Sequence, residues 1–159
     1  MSGSTYTGTK GQIAGIGAVC SIGALTGAST ESFLPIGEVT DAKFSGRKRD
    51  VVDATSFSSG GIKRKKDTIV DYGQVTLTVI RVPNDAGQVA VVAANATGGA
   101  WDFTFQLPKD TQAGQVTTGD LIAASGIVTG VEFDVSTSKI SEFTFTVDFD
   151  GSYLLTPGA

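Results

Sequence analysis

The chain has 159 residues, the size of one domain that can bury roughly 70% of the surface its unfolded form exposes. It contains no histidine and one cysteine, which excludes imidazole-dependent catalysis, thiolate zinc sites and intramolecular disulfides. Eight of its 12 basic residues fall in the interval 43–66 beside only two acids. That interval carries a net charge of +6, and the rest of the chain carries −10 of the total of −4. With 21 glycines and many threonines, serines and valines, the composition predicts a mainly β domain.

Residues 1–32 are rich in glycine, alanine, serine and threonine. Their apolar residues recur at every third position, which fits neither a helix face nor a strand face for long. The segment is too short and too glycine-rich for a membrane span, and its scattered glycines disfavour a secretory signal. We therefore expect an assembly arm that becomes ordered by packing on a partner. Its candidate contact residues are Ile13, Ile16, Val19, Ile22 and Leu25.

The basic interval follows a first predicted strand, which begins irregularly at Phe33 and ends near Val39. Two arms with spaced apolar residues flank the turn Ser58–Gly61, a pattern that predicts a long hairpin or Ω-like loop over 41–68. A loop of this length in a compact domain usually has a function. Its candidate contact residues are Lys43, Arg47, Lys48, Arg49, Asp53, Thr55, Lys63, Arg64, Lys65 and Lys66.

A strand and then a helix are predicted after the basic interval. Alternation from Val75 to Val82 indicates a half-buried strand, which Pro83 ends. Asp85 and Gln88 have the spacing of a capping box, in which the aspartate caps the helix and Gln88 reaches back to the N–H of the cap. This predicts a helix over about 86–94. Its one apolar stripe consists of Val89, Val92, Ala93 and Ala96.

The last third of the chain has the clearest strand pattern. An aromatic strand is predicted over 101–107, and a polar loop with a small apolar patch over 109–125. Residues 131–135 and 143–149 then alternate strictly, which predicts two strands paired as a hairpin with one apolar and one acidic, threonine-rich face. The tail 152–159 is apolar enough to dock on another surface. The acidic outward residues are Glu132, Asp134, Asp148 and Asp150.

Three functional interpretations are weaker. A basic loop can bind a nucleic-acid backbone, but Phe44 and Phe57 are its only aromatic residues and the chain is acidic, with a pI of 4.7. Residues 148–151 begin like a calcium loop but lack the downstream oxygen ligands. Paired carboxylates on neighbouring strands could serve a glycosidase, yet nothing distinguishes them from a solvated face. We expect neither enzymatic activity nor a cofactor.

The order of these elements resembles the major tail tube proteins of long-tailed bacteriophages. The resemblance covers about residues 34–151 and depends on three motifs in sequence. The first is Asp53-Ala54-Thr55 in the long loop. The second is the strand that begins Asp71-Tyr72-Gly73-Gln74-Val75, and the third is the helix start at Asp85-x-Gly87-Gln88. No single motif is specific, but their order and spacing together indicate the family.

The resemblance implies a β-sandwich or barrel-like domain at 33–151 with one short flanking helix, a long hairpin-like loop and extended terminal arms. It also implies a structural virion protein without catalytic residues, whose six-membered rings stack into the tail tube. Partners would be further copies of the chain, the tape measure protein, and the tail-tip and tail-terminator proteins. DNA would pass an electronegative lumen without specific binding, and the protein, made in the host cytoplasm, would end in the virion tail. Candidate lumen-facing residues are the four outward acids named above.

Three alternatives stay open at this stage. One is a monomeric β-sandwich binding module, such as a decoration or adhesin-like protein. A second is a nucleic-acid binder that uses the basic loop, with steeply salt-dependent affinity. The third is a tube protein like that of type VI secretion systems. The phage tube is favoured over it because this chain has a basic loop and contains no histidine.

Overall fold

A computed structural model describes residues 17–25, 32–111 and 114–159. Ten strands, one α-helix and a short 3-10 turn at Phe57–Ser59 make up this part of the chain. The strands are β1 Val19–Leu25, β2 Leu34–Pro35, β3 Val39–Phe44, β4 Lys48–Asp53, β5 Lys65–Asp71, β6 Gln74–Ile80, β7 Ala100–Gln106, β8 Leu121–Asp134, β9 Glu142–Phe149 and β10 Leu154–Thr156, and helix α1 is Ala86–Thr97.

Eight strands form one antiparallel sheet, and β4 with β5 forms a separate two-stranded sheet. The order in the large sheet is β2-β1-β7-β8-β9-β6-β3, with β10 added beside β8. The ring of Phe44 on the edge strand β3 lies 5.1 Å from the ring of Phe105 on β7, although β7 is four strands away in the sheet order. The sheet must therefore curl strongly. The predicted mainly β, barrel-like domain with one helix is therefore confirmed.

The hydrophobic core follows from strict alternation on the central strands. The fully buried side chains alternate along β6 (positions 75, 77 and 79) and β9 (positions 143, 145 and 147), and the intervening threonines lie on the opposite face. Since paired residues of antiparallel strands share a face, the pairs Val75–Val147 and Leu77–Phe145 stack their side chains inward. These strands were predicted correctly. The remaining core residues include Cys20, Ile22, Ile36, Val91, Phe103 and Phe105.

Strand β1 corrects the prediction for residues 1–32. Positions 19–25 pair with β7 and β2 in the large sheet, and Cys20 and Ile22 are buried there. The period-three spacing concealed a strand because the inward position 20 is a cysteine and the position after Ile22 is a glycine. A register shift between Ile22 and Leu25 interrupts the alternation further. Burial raises the pKa of the Cys20 thiol to about 11.

Strand β8 is much longer than the predicted 131–135, because it begins at Leu121, inside the 109–125 stretch that was predicted to be a polar loop with a small apolar patch. Ala124 and Val128 point into the core at even positions. A register shift between Val128 and Gly130 then moves the inward face to odd positions, so Val131 pairs with Phe145 and Phe133 with Phe143. The predicted hairpin with β9 is confirmed. Phe133, on the apolar face of this hairpin, is 57% exposed.

Helix α1 begins at the predicted cap and extends three residues beyond the predicted end at 94. Asp85 Oδ2 accepts the N–H of Gln88 at 2.9 Å, and Gly98 ends the helix with φ +78°. The predicted apolar stripe is wrong, because the helix buries Gly87, Gln88, Val91 and Ala94 instead. A Cβ at Gly87 would lie 2.3 Å from the carbonyl oxygen of Pro35, so this close approach sets the rotation of the helix.

Gln88 is the one buried polar residue of the described core, and its amide joins three segments. Its Oε1 accepts the Val82 N–H at 3.0 Å and an Arg81 guanidinium N–H at 3.2 Å. Its Nε2 donates to the carbonyl oxygens of Ile80 and Gly37 at 2.9 and 3.0 Å. The second half of the predicted capping box is therefore wrong. Gln88 satisfies the strand end and the 36–38 turn rather than the cap N–H.

Among the described residues, the only α-helix has 12 residues, and no helix there is long and apolar enough to cross a membrane.

Replacing Gln88 with leucine should destabilise the unassembled chain by about 3 kcal/mol, because up to three buried backbone groups would lose their partner. Gln74→Leu is the matched control, since Gln74 begins the adjacent strand β6 with an exposed side chain, and its change should stay within about 0.5 kcal/mol. Urea unfolding of both variants measures the difference. Equal losses in the two variants would contradict the role assigned to Gln88.

Candidate assembly surfaces

The basic interval forms a hairpin that projects from the large sheet. Strands β4 and β5 pair from Lys48–Asp71 to Asp53–Lys65, and the 3-10 turn Phe57–Ser59 lies at the far end. The predicted long hairpin is confirmed, but it begins later than position 41. Lys43 belongs to β3 in the large sheet, where it pairs with Thr76 on the outward face.

Two glycines form the foot of this hairpin. The chain passes from β3 to β4 through Gly46 and from β5 to β6 through Gly73, and both have positive φ, +86° and +78°. Gln74 N–H donates to Ser45 Oγ at 2.9 Å, and Ser45 N–H donates to the Gln74 carbonyl at 2.8 Å. A Cβ on Gly73 would lie 2.3 Å from Ser45 Oγ and 2.6 Å from the Gly46 carbonyl oxygen. The hairpin is thus a continuation of β3 and β6 bent at a glycine contact.

The Asp53-Ala54-Thr55 motif closes the end of β4. Asp53 Oδ1 accepts the Thr55 N–H at 2.9 Å, and Thr55 Oγ1 accepts the Arg64 N–H at 2.9 Å. Ala54 N–H donates to the Arg64 carbonyl at 2.9 Å. These bonds fix where the chain leaves β4 and rejoins the opposite arm. Asp53 and Thr55 were predicted as contact residues, and the structure uses them to shape the hairpin that carries the basic side chains.

The basic side chains differ in their partners within the chain. Arg49 forms a salt bridge with Asp67 across the hairpin, and the Arg47 guanidinium lies 5.7 Å from the centre of the Tyr72 ring. The four residues Lys63–Lys66 are exposed, and within the described residues none of them forms an ion pair. Lys48 is likewise exposed without an ion pair there. The free positive charge is therefore concentrated on one arm of the hairpin.

The hairpin also exposes large apolar side chains, although their exposure was not predicted. Val51 is 56% exposed, Ile69 is 74% exposed, and Phe57 is fully exposed at the tip. Val52 and Ile62 are exposed as well. A two-stranded hairpin is marginally stable alone in water, and this one leaves several large apolar side chains uncovered along its length.

An aromatic cluster joins the hairpin foot to the core and the tail. The Tyr72 ring meets the Tyr153 ring edge-on at 5.1 Å, and Tyr153 meets Phe149 at 5.7 Å. Phe149 in turn stacks on Phe44 at 6.1 Å. Pairs of this kind contribute about 0.5–1.5 kcal/mol each beyond burial. The sequence offered no signal for this cluster, because its members are far apart along the chain.

Three of the four predicted outward acids share one face of the sheet and Asp150 lies just beyond the end of β9, so the four form two groups. Glu132 and Asp134 lie at the far end of the β8–β9 hairpin, opposite Thr144 and Glu142. Asp148 lies beside Gln74 near the foot of the basic hairpin, and Asp150 follows it. Asp134 forms a salt bridge with Lys139, which raises the pKa of that lysine. In the described residues, no group of three or more potential metal ligands could hold an ion.

The terminal segments pack mainly on their own chain in the parts described. Val19 and Leu25 are each 45% exposed, whereas Ile22 is a core residue and is unavailable to a partner. Ile13 and Ile16 lie outside the described residues. The tail pairs with β8 through β10, yet Leu154 and Leu155 stay exposed.

No family model matches the sequence, and a search of curated proteins by sequence finds no match. Solved structures share the fold at low identity. The SPP1 tail tube has a TM-score of 0.68 at 15% identity, covering 93% of this chain and 80% of that chain. The tail of an empty gene transfer agent particle, refined with C6 symmetry, gives 0.63 at 15% identity over 87% of this chain and 94% of that chain.

A chain from the sheath–tube complex of an extracellular contractile injection system, PVC, gives a TM-score of 0.66 at 13% identity. The match covers 97% of this chain and 99% of that chain. This chain therefore has the fold found in phage tail tubes and contractile injection systems. The resemblance to tail tube proteins that the sequence indicated is confirmed at the level of the fold.

Asp53 and Asp67 of the hairpin should titrate below their ordinary pKa of 3.8. Hydrogen bonds from the Thr55 side chain and backbone lower the pKa of Asp53, and the hydrogen bond from Arg49 lowers the pKa of Asp67. A lowered folded-state pKa stabilises the hairpin above pH 3.8, and this stabilisation is lost as the pH falls through the folded-state values.

NMR titration of the carboxyl groups measures both values. In Thr55→Val, which removes the hydroxyl, the pKa of Asp53 should rise toward 3.8, and Thr55→Ser should keep it low. An unchanged pKa in Thr55→Val would show that the hydroxyl is not its cause.

Proposed function

We propose that this chain is a structural protein of a phage-type tail, whose copies close into hexameric rings that stack into a hollow tube. The observation that carries the proposal is the projecting hairpin, which combines unpaired lysines with exposed apolar side chains on a domain with the tail tube fold. The C6 symmetry in which one neighbour's tail was refined supports six copies per ring. The chain has no enzymatic role in this proposal, and needs no cofactor.

The hairpin docks on a second copy through charge and apolar contact together. Lys63–Lys66 and Arg47–Arg49 carry the positive charge of an otherwise acidic chain, so the body of another copy offers the complementary charge. An exposed ion pair contributes only about 0–1 kcal/mol, but the contact recurs in every copy of a ring, where binding at several points together is strongly favoured. Because the hairpin and its acceptor are different surfaces, the contact is heterologous and can build rings and open-ended tubes.

The acidic face of β8 and β9 has a separate role, which is to line the lumen. Glu132, Asp134, Asp148 and Asp150 would then repel the DNA backbone as DNA is delivered into the host. A carboxylate that binds the hairpin cannot also face the lumen. The hairpin must therefore bind acidic residues other than those that line the lumen. Contact of these four side chains with solvent on the outside of an assembled tube would refute the lumenal role.

The remaining partners follow from a place in the tail. A tape measure protein would occupy the lumen during assembly, and tip and terminator proteins would cap the two ends of the tube. The protein would be made in the host cytoplasm and become part of the virion. DNA would pass through without a specific binding site.

Replacing Lys63, Arg64, Lys65 and Lys66 with glutamine should weaken tube formation at low salt, because it removes the unpaired positive charge of the hairpin. We expect the protein concentration required for assembly to rise about tenfold or more, as several weakened contacts act together. Negative-stain images and light scattering across a concentration series measure it. Normal tubes from this variant would contradict the electrostatic contact.

The matched control replaces Lys63, Lys65 and Lys66 with arginine, which keeps the charge and should leave assembly intact. Images of concentrated wild-type protein test the broader proposal. Stacked rings or tubes support it, and a single small species in light scattering would instead indicate a monomeric binding module.

A further inference from the structure

A pocket of about 540 Å³ lies between strand β3 and the part of the curled sheet formed by β1, β7 and the start of β8. Phe44 and Phe105, whose rings are in contact, line it from the two sides. Most of the other lining side chains are apolar, including Val19, Leu107 and Ile122. The pocket therefore offers an apolar surface at the edge of the sheet, and it is large enough to receive an aromatic side chain.

The pocket is open beside β3 because this edge strand has a small residue at a position that faces the core. Ala42 pairs with Leu77, which is fully buried, so both side chains lie on the core face of the sheet. Ala42 lines the pocket and is nevertheless exposed. Among the described strands, β6 is the only neighbour of β3. A larger side chain at position 42 would therefore enter the pocket rather than the packed core.

Asp41 is the one charged residue among the described residues that line the pocket. It is exposed, and it forms no ion pair with any residue that the structure describes. Lys43 follows on the same strand but does not line the pocket. The proposed function requires the hairpin to bind an acid that is not assigned to the lumen, and Asp41 meets this requirement.

The tip of the basic hairpin has properties complementary to those of the pocket. Phe57 is fully exposed at the tip, and Ile62 is 66% exposed. The basic run Lys63–Lys66 begins directly after Ile62. Hydrogen bonds from Ala54 and Thr55 to the backbone of Arg64 close the hairpin behind the tip. An aromatic side chain and a concentrated positive charge are thereby held at the same end of the hairpin.

We propose that the pocket beside β3 is the acceptor for the hairpin of a second copy, with Phe57 in the pocket and the run Lys63–Lys66 against Asp41. This inference rests on the proposed function and adds the residues that make the contact. Entry of the ring removes apolar surface of both copies from water, which supplies most of the affinity because exposed ion pairs contribute little. The charges set the orientation of the hairpin and the rate at which it binds.

The sheet has a second exposed apolar group, which consists of Phe133, Val135 and Ile140. It is a poorer acceptor for the hairpin because Glu132 and Asp134, its acidic neighbours in the chain, are assigned to the lumen in the proposed function. The pocket beside β3 has no such conflict.

Two substitutions remove the contact from opposite sides. Ala42→Phe fills the pocket, and Phe57→Ala removes the ring that enters it. Each should raise the protein concentration required for tube formation about tenfold or more, because a buried aromatic anchor dominates a contact of this kind. The double variant should assemble no worse than the poorer single variant, because both substitutions remove the same contact. Light scattering across a concentration series and negative-stain images measure these effects.

The matched controls are Ala42→Ser, which leaves the pocket open, and Phe57→Leu, which keeps the tip apolar. Both should assemble within about threefold of the wild-type concentration, since a small polar change at an exposed site and an apolar replacement are well tolerated. Urea unfolding of every variant separates loss of assembly from loss of folding. Normal assembly of both Ala42→Phe and Phe57→Ala would overturn the inference.

A photochemical cross-link identifies the acceptor directly. A full chain that carries p-benzoylphenylalanine at position 57 is incorporated as a minor component into tubes of isotope-labelled wild-type protein, so that links between copies are recognised by mass. We expect position 57 of one copy to be linked to the pocket of another, within 39–44 or 105–107.

Any other cross-linking result would overturn the pocket as the acceptor. Such results are a link within one copy, a link to another surface of the second copy, a link to the stretch 1–16 that precedes Gly17 at the pocket, and the absence of any link. Tubes would still support the proposed function in each of these cases. Failure of the wild-type chain to form tubes would contradict the proposed function itself.

Discussion

The contact between Gly73 and the Ser45–Gly46 backbone is the constraint on which the shape of this molecule depends. At this contact β3 and β6, which pair in the large sheet, give way to β4 and β5, which pair as a separate two-stranded sheet. A side chain at position 73 would meet Ser45 Oγ and the Gly46 carbonyl at less than 3 Å, so only glycine permits the bend. The bend separates the packed large sheet from the solvated basic hairpin, and the proposed assembly requires that division.

The aromatic cluster below the bend fixes the foot of the hairpin against the large sheet. Arg47 and Tyr72 belong to the hairpin, whereas Phe149 and Phe44 belong to the large sheet, and Tyr153 brings the tail into the same cluster. Beyond this foot, hydrogen bonds and one salt bridge hold the hairpin, and apolar residues such as Val51 and Ile69 face water. The large sheet is stabilised by burial, and the hairpin is stabilised by local polar contacts. Binding to another copy would therefore stabilise the hairpin much more than the large sheet.

Sequence patterns identified the elements whose alternation is regular and whose residues are large. Strands β6, β7 and β9 have an unbroken period of two with bulky apolar residues, and the Asp85 cap located the start of the helix. Prediction failed where small residues pack closely. Strand β1 has Cys20 and Gly23 among its residues, the first half of β8 is built on alanine and glycine, and Gly87 rather than the valines sets the rotation of α1. These contacts depend on backbone approach, which hydrophobic periodicity does not measure.

The candidate surfaces divide in the same way. Charge segregation is a property of composition, so the basic hairpin and acidic face could be found from sequence. The aromatic cluster at the hairpin foot could not, because its members are far apart along the chain. Likewise, nothing local to Gln88 indicates that its amide would bind Gly37, 51 positions earlier.

The buried thiol of Cys20 has a practical consequence. It is the only cysteine in the chain, it lies within the sheet, and its pKa of about 11 leaves it protonated at neutral pH. A cysteine introduced at an exposed position would consequently be the only readily alkylated sulfur in the protein. Spin labels or fluorophores placed on the hairpin and on the tail 152–159 would then report on each segment separately, without any need to remove the native residue.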